Sequence, residues 1–391
     1  MSHPVVRFGD ILEEAPKRTV GKWDIPILSI TMADGLVEQA TRFKKRIASK
    51  DISEYRLVAR NQLVVGFPIN EGVIAFQTCH DFGGVSPAYS VWNLRDASRV
   101  DVNYVGRILR SPQMCKRYET KMRGTAGRRR NLSKPDLKQV SFPLPPLPEQ
   151  KRIAAILDAT DALRAKRRES IEQLESLVEA TFLEMFGDPV TNPKGWSVGQ
   201  IGDVMASVNY GTSKKAHPAD GAFPILRMGN ITYEGGWDLG DLKFIDLDKR
   251  EQAKYLVQRG DILFNRTNSK ELVGKTAVYR SDTPMAFAGY LVRAVTNERA
   301  SPDYVGAFMN SRQVKAVLQG MCKAIVGMAN INASEFKAIS IPIPPIDLQT
   351  RFASIVESIE QQKARLKAHL DELDTLFAAL QSRAFNGALV A

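Results

Sequence analysis

Apolar and polar positions along the chain predict two globular regions, each followed by one long helix. Short apolar runs bounded by glycines predict strands in both regions, because buried strands are short and flanked by turn residues. These runs are Pro26–Ile30, Gln62–Phe67 and Val73–Phe76 in the first region, and Phe223–Met228, Asp261–Phe264 and Lys275–Tyr279 in the second. Helical patterns occur at Gly35–Lys50 and Tyr104–Lys121. We therefore expect an α/β (α+β) fold.

Two stretches without internal proline or glycine predict helices of about 38 residues, or roughly 57 Å at the rise of an α-helix. They cover 149–186 and 347–385, each after a proline-rich lead-in that cannot be a helix interior. Gly187 and Asn386-Gly387 are expected to end them. Apolar residues spaced three and four apart predict a coiled-coil seam: Ile153, Ile156, Leu163, Leu174 and Leu177 on the first helix, and Phe352, Ile355, Ile359, Leu366, Leu373 and Leu376 on the second.

The chain repeats itself at an offset of 199 residues. VSFPLPPLPEQKRIAAI at 140–156 corresponds to ISIPIPPIDLQTRFASI at 339–355. This period exceeds the roughly 20–50 residues of solenoid repeats, so we expect two copies of a domain plus helix. An internal two-fold would pair the helices antiparallel and separate two pseudo-symmetric globular domains; alternatively, each helix packs on its own domain. The expected segments are 1–142 and 188–341 (globular domains), and 143–187 and 342–391 (lead-ins and helices).

Bulk properties restrict the class of protein. The start has no apolar leader, and no apolar run is long enough to cross a membrane, so a cytoplasmic protein is expected. Three scattered cysteines indicate neither a disulfide framework nor a zinc site. The net charge is +11, while the two helix windows are slightly acidic, so the positive charge belongs to the globular regions. Such an excess indicates a polyanionic partner.

Basic and amide side chains concentrate in a few loops, where they could contact phosphates and base edges. A solvated polar surface would show the same composition. The candidate DNA-binding residues are Arg123, Arg128, Arg129, Arg130 and Lys134 in the first region, and Lys214, Lys215, Arg227, Asn230, Arg266, Asn268 and Lys270 in the second.

The sequence offers no catalytic or metal site. Ser269–Thr276 resembles a phosphate loop but lacks its first glycine, and a strand-like run follows where a helix is required. Neither a methyltransferase motif nor a zinc-ligand spacing occurs, and the four histidines are scattered. We therefore expect no catalytic residue and no metal in this chain.

The doubled proline–helix block, with Tyr210-Gly-Thr-Ser and Gly260-Asp-Ile-Leu263, resembles type I restriction–modification DNA specificity subunits. The resemblance covers essentially the whole chain. It implies a non-catalytic subunit in which each domain is a target recognition domain that reads one half of a split, asymmetric double-stranded DNA sequence. The helix pair would set the gap between the half-sites.

The resemblance also implies partners. Two methyltransferase subunits would dock on the helices and supply S-adenosylmethionine chemistry, and restriction subunits would supply ATP- and Mg-dependent cleavage; this chain itself would hold no cofactor. The alternative hypothesis is a DNA-modifying enzyme, a methyltransferase or nuclease, with an unrecognised site. A coiled-coil scaffold that binds only proteins fits the basic globular regions less well.

Overall fold

The computed structural model describes residues 3–31, 35–42, 51–122, 132–321 and 329–386. The chain forms two compact units, one of Met1–Lys166 with Leu370–Ala391 and one of Arg167–His369. The sequence analysis divided the chain into four consecutive segments. In the structure, each compact unit instead combines one globular region with a part of both long helices. The reason is that each globular core buries the end of a helix that comes from the other half of the chain.

The first unit is built from short antiparallel sheets covered by helices. Its strands are β1 (Val5–Arg7), β2 (Leu12–Glu14), β3 (Leu28–Thr31), β4 (Gly35–Glu38), β5 (Arg56–Ala59), β6 (Leu63–Val65), β7 (Ile74–Phe76), β8 (Phe82–Val85), β9 (Ser90–Leu94) and β10 (Ser141–Pro143). Its helices are α1 (Phe8–Ile11), α2 (Gln39–Arg42), α3 (Val102–Leu109), α4 (Pro112–Lys121) and α5 (Lys134–Lys138), before the long α6 (Leu147–Phe186). The central sheet has the order β2-β9-β6-β7, and β1 pairs with β10.

The second unit repeats this plan. Its strands are β11 (Ser197–Gln200), β12 (Met205–Tyr210), β13 (Phe223–Leu226), β14 (Lys243–Ile245), β15 (Ile262–Asn265), β16 (Thr267–Asn268), β17 (Thr276–Val278), β18 (Ala286–Phe287), β19 (Leu291–Thr296), β20 (Ala329–Asn330) and β21 (Ser340–Ile343). Its helices are α7 (Lys249–Tyr255), α8 (Pro302–Asn310), α9 (Arg312–Met321) and α10 (Ala333–Lys337), before the long α11 (Ile346–Phe385). The order β12-β19-β15-β17 matches β2-β9-β6-β7, and β11 pairs with β21. The expected mixed fold with a doubled domain is confirmed.

Most sequence-predicted elements are present, with two differences. All six strand-like runs contain a strand. The run from Gly35 was expected to be helical, but it begins as strand β4, because Leu36 is buried in a hairpin with β3. The predicted helix Tyr104–Lys121 is divided at Ser111, whose side chain caps α4. Among the described residues, no helix is long and apolar enough to cross a membrane.

A buried glutamine fixes the start of α6 on the first unit. Gln150 is fully buried, and its Oε1 accepts a hydrogen bond from the Asp101 N–H at 2.8 Å. Its Nε2 donates to the carbonyl oxygens of Arg99 at 2.9 Å and Pro145 at 2.8 Å. Three backbone groups around the helix start therefore depend on one side chain.

The repeat places Gln349 in the same role at the start of α11. It is also fully buried, and its Oε1 accepts from the Ser301 N–H at 2.9 Å. Its Nε2 donates to the carbonyl oxygens of Arg299 at 3.2 Å and Pro344 at 2.8 Å. The same three bonds recur 199 residues later, which gives the repeated glutamine a physical role.

In the first unit, α6 and α11 run antiparallel. Ile153, near the start of α6, shares a core with Ala384 and Phe385 at the end of α11. About three turns further along α6, Arg164 Nε donates to Asp374 Oδ1 at 2.5 Å. Because the residue number rises on one helix while it falls on the other, the two segments are antiparallel.

The second unit shows the same relation from the other ends of the helices. The ring of Phe352, near the start of α11, lies 5.9 Å from Phe182 and 5.3 Å from Phe186, measured between centroids. Further along, Lys363 Nζ lies 3.5 Å from Glu175 Oε1. The helices therefore pair with each other and also pack on the globular cores, so the two alternatives left by the sequence both hold in part.

The buried stripe of each helix differs in phase from the predicted seam. Buried or half-buried residues at 3-4 spacing are Ile153, Leu157, Thr160, Arg164, Arg167, Ile171, Leu174 and Val178 on α6, and Phe352, Val356, Ile359, Lys363, Leu366, Leu370, Leu373 and Phe377 on α11. The prediction is wrong for four residues, which are 39–53% exposed: Leu163, Leu177, Ile355 and Leu376. Of the remaining predicted residues, Ile156 is half-buried beside the stripe. At 3.6 residues per turn, a shift of one residue rotates a side chain by about 100°, which moves it off the contact.

The buried stripe of each helix contains a cationic residue, Arg164 on α6 and Lys363 on α11. These charges explain why the apolar pattern predicted the wrong helix phase. Arg164 pairs with Asp161 at 2.7 Å, and its equivalent Lys363 pairs with Glu360 at 3.1 Å. Lys363 is only 7% exposed. Apolar patterning excludes such positions, but here carboxylates from the same and the facing helix neutralise the charge.

Candidate nucleic-acid interface

In the second unit, several segments meet at one edge of the central sheet. Arg266 follows the end of β15, and its N–H donates to the carbonyl oxygen of Tyr290, which precedes β19. Tyr210 ends β12, and its hydroxyl accepts a hydrogen bond at 2.9 Å from the N–H of Ala333, the first residue of α10. We call this edge the second recognition edge: Tyr210, Arg266, Tyr290 and Ala333.

Arg266 is held in place but keeps free donors. Its guanidinium carbon lies 4.9 Å from the centroid of the Tyr210 ring, and Nη1 donates to the Gly289 carbonyl at 3.4 Å. Its Nε has no hydrogen-bond partner within the described residues. Tyr210 and Tyr290 are 44% and 53% exposed. A stacked, oriented guanidinium beside exposed aromatic rings can bond to a phosphate or to a guanine edge.

Asn265 is a residue of this edge that the sequence did not indicate. It is fully buried, and neither atom of its side-chain amide has a hydrogen-bond partner in the described part of the chain. An unpaired buried amide is unfavourable by several kcal/mol in model transfer data, so such groups are uncommon. The repeat places Gly66 at this position in the first unit, so no shared motif marked it.

Other predicted residues of the second unit lie around this region without joining one cluster. Lys214 Nζ donates to Glu251 Oε2 at 2.6 Å, and this hydrogen bond raises the pKa of Lys214. Lys215 and Lys270 are exposed. Asn268 is half-buried, and its Oδ1 accepts the N–H of the next residue at 2.9 Å. Lys215 and Lys270 are available to phosphates, whereas Lys214 is paired with Glu251 and Asn268 shapes its own loop.

Two predicted DNA-binding residues hold the second unit together instead. Asn230 is 3% exposed; its Oδ1 accepts from the Arg227 N–H at 2.8 Å, and its Nδ2 donates to the Asp238 carbonyl at 2.8 Å. Arg227 Nη2 donates to Asp241 Oδ2 at 2.9 Å. Both ends of the Asn230 amide are used within the fold, which gives this side chain a structural role, and its contact with DNA stays a prediction. The motif that contains Arg227 and Asn230 forms a turn.

The equivalent edge of the first unit carries different side chains. Phe67 stands where Arg266 stands in the second unit, and it is 49% exposed. Its ring lies 6.5 Å from that of Tyr89, which precedes β9. Lys134 begins α5, and its Nζ pairs with a carboxylate oxygen of Glu14. We call Phe67, Tyr89 and Lys134 the first recognition edge.

Four predicted DNA-binding residues, Arg123, Arg128, Arg129 and Arg130, lie outside the described residues. In the sequence they stand between α4 and α5. Their contact with DNA therefore stays a prediction.

One titratable side chain in the second unit is strongly perturbed. Burial lowers the pKa of Lys315 to about 8, although the carboxylates of Glu234 and Glu179 act in the opposite direction. The Nζ lies 3.7 Å from the centroid of the Tyr233 ring and donates to the carbonyl oxygen of the same residue. Across the described residues, no group of three His, Cys, Asp or Glu side chains could hold a metal ion.

A family model for the type I restriction modification DNA specificity domain matches residues 95–175 and 193–374. The chain belongs to this family. The two matched segments contain both copies of the repeated proline–helix block and the second globular region from β11 to β21. The expected relationship from the sequence is therefore confirmed.

Curated relatives of this family are distant in sequence. The EcoKI specificity subunit of Escherichia coli K12 is 26% identical over 283 residues, 67% of this chain and 60% of that protein. The StySPI specificity subunit of Salmonella potsdam is 24% identical over 321 residues, 76% of this chain and 68% of that protein. A putative MjaX specificity subunit of Methanocaldococcus jannaschii is 24% identical over 196 residues. The chain spans about half to three fifths of the MjaX and EcoKI subunits.

Solved structures share the fold over nearly the whole chain. A type I restriction–modification S subunit from M. genitalium matches with a TM-score of 0.59 at 14% identity, over 98% of this chain and 96% of that one. A chain from a study of complex assembly and conformational transition of the type I R-M system matches with a TM-score of 0.57 at 17% identity, over 99% and 98%.

Proposed function

We propose that this chain is the sequence-specific DNA-recognition subunit of a type I restriction–modification complex. One observation carries the proposal beyond family membership: a repeated scaffold presents different chemistry at the same edge. Arg266 with Tyr210 and Tyr290 occupies the second recognition edge, and Phe67 with Tyr89 and Lys134 occupies the first. Two different edges on one scaffold suit a split target with unlike halves.

In this proposal each globular region is a target recognition domain, and the helices α6 and α11 set the gap between half-sites. Each helix is 40 residues long without interruption, and each contributes to both units. This continuity supports a spacer role, because a continuous helix of about 60 Å transmits a fixed length.

The catalytic chemistry would belong to partners. Two methyltransferase subunits would bind along the helices and carry S-adenosylmethionine, and restriction subunits would use ATP and Mg for translocation and cleavage. This chain would be non-catalytic and hold no cofactor. The related proteins are named specificity subunits of type I restriction enzymes, which supports this division over a DNA-modifying enzyme with an unrecognised site.

Methylome sequencing tests the proposal. Cells that express this chain with its methyltransferase subunit should show adenine methylation at a single split motif, absent when this chain is omitted. Methylation at an unsplit motif, or the same motif without this chain, would contradict it.

The spacer role has its own test. Inserting four helical residues after Ala165 and after Ala364 lengthens each helix by about 6 Å. Because base pairs are about 3.4 Å apart along the axis, the gap in the motif should grow by one or two base pairs while both half-sites persist. An active mutant with an unchanged gap would show that other contacts set the distance.

A further inference from the structure

The first unit contains a buried arginine that has no counter-charge among the residues that the structure describes. Arg56, at the start of β5, is only 7% exposed. Its Nε has no hydrogen-bond partner, and within the described residues no carboxylate lies within ion-pair distance of it. Burial of an unpaired charge is strongly unfavourable, so the fold keeps this side chain at a cost in stability.

Arg56 lines a cavity at the first recognition edge. The cavity has a volume of about 280 Å³, and its wall includes Phe67, Tyr89, Ser90 and Lys134. Gly66 lets the Tyr89 ring pack closely against the backbone in the cavity wall, because a Cβ at this position would lie 2.8 Å from Val73 and 3.0 Å from that ring. Arg56 therefore lines a pocket at the surface where DNA is proposed to bind.

The described carboxylates beside the cavity wall are bonded to other residues. Glu14 is paired with Lys134, and Asp136 accepts a hydrogen bond from Ser133 at 2.7 Å. Among the described residues no carboxylate is therefore paired with Arg56, which leaves its guanidinium available to an anion from outside the chain.

We infer that this cavity binds one phosphate of the DNA backbone, with Arg56 as its principal ligand. This inference rests on the proposed DNA-recognition function. A phosphate supplies the negative charge that a neutral base edge lacks, and a guanidinium matches the oxygens of a phosphate with two parallel hydrogen bonds. The contact would fix the position of the first unit on its half-site, while the exposed Phe67 ring and the half-buried Tyr89 ring would border the neighbouring nucleotide.

Arg56→Met removes the charge but keeps most of the side-chain length. In the complex with the methyltransferase subunit, the affinity for an unmethylated duplex that carries the recognition motif should fall about tenfold. The slope of log affinity against log salt should become shallower by about 0.9. The melting temperature should be unchanged or higher, because an unpaired buried charge has been removed. Arg60→Met is the matched control, since Arg60 follows β5, is exposed and pairs with Asp81 at 3.1 Å.

A duplex series with single methylphosphonates locates the contact. Each methylphosphonate replaces one charged phosphate with a neutral group. At one position in the first half-site, this replacement should weaken binding of the wild type about tenfold but leave binding of Arg56→Met unchanged. Arg56→Lys keeps the charge and should retain that sensitivity. Inorganic phosphate should stabilise the wild type only weakly at high concentration; strong, Arg56-dependent stabilisation would indicate a free-anion site and overturn a backbone contact.

The outcomes separate this inference from the proposed function. If the wild-type complex shows no preference for its own motif, the proposed function fails. If the wild type binds its motif and Arg56→Met keeps both the affinity and the salt slope, only the phosphate pocket is refuted. A lower melting temperature with unchanged DNA affinity would assign Arg56 a purely structural role.

Discussion

The buried glutamines that anchor the two long helices allow a reciprocal test of the internal repeat. Gln349→Leu keeps the approximate volume of the side chain but removes its hydrogen bonds to three backbone groups, one of which is the Ser301 N–H. Each buried polar group left unpaired costs about 1–3 kcal/mol. Because water and small shifts satisfy some of these groups, we expect a total near 3 kcal/mol.

Hydrogen–deuterium exchange reports the effect residue by residue. A loss of about 3 kcal/mol in local opening free energy corresponds to roughly a hundredfold faster exchange. The Ser301 amide should accelerate by that factor in Gln349→Leu, whereas the Asp101 amide, bonded to Gln150, should not change. Gln150→Leu should give the opposite result. Each variant is the control for the other, and Gln361→Leu, at an exposed position of α11, should alter neither amide.

Equal acceleration of both amides in either variant would mean that the two helix anchors unfold as one unit. Unchanged exchange of Ser301 in Gln349→Leu would refute the assignment of these hydrogen bonds as the structural reason for the repeated glutamine.

Three further predictions follow from single contacts. Ile359 is only 4% exposed, so Ile359→Lys should destabilise the protein by about 3 kcal/mol or more, whereas Ile355→Lys, at a position 39% exposed, should change the stability by no more than about 0.5 kcal/mol. Chemical denaturation measures both values, and equal losses of stability would contradict the observed helix phase. Burial lowers the pKa of Lys315 in the folded state to about 8, so between about pH 8 and 10.5 the unfolded state binds more protons than the folded state. The stability of the wild type relative to Lys315→Met should therefore rise across this pH range, by at most about 1 kcal/mol after solvent screening. A stability difference that does not change with pH would refute the lowered pKa. Arg266→Ala should reduce the discrimination against wrong bases at one position of one half-site by about 1–3 kcal/mol, which methylome sequencing or competition binding measures. Arg259 is exposed and pairs with Asp282 at 3.2 Å, so Arg259→Ala should leave the motif intact. An unchanged motif in both variants would exclude Arg266 from base reading.

The sequence by itself determined the doubled architecture and the positions of most elements. Strands and helices follow from local patterns: apolar runs between glycines, prolines before the long helices, and Gly187 at the end of α6 with a φ of 82°. The repeat was visible because the same backbone groups need the same partners in both halves, as Gln150 and Gln349 show.

The tertiary structure decided which side chains do what. The phase of the long helices was mispredicted because Arg164 and Lys363 lie in the buried stripe, where carboxylates distant in sequence neutralise them. Asn230 was a candidate DNA-binding residue by its sequence, and only the fold shows that both ends of its amide are hydrogen-bonded within a turn. Arg56 belonged to no motif of the sequence, and only the fold shows that it is buried with an Nε that has no hydrogen-bond partner among the described residues. Local composition shows which groups are present; only the folded chain shows which of them are already paired.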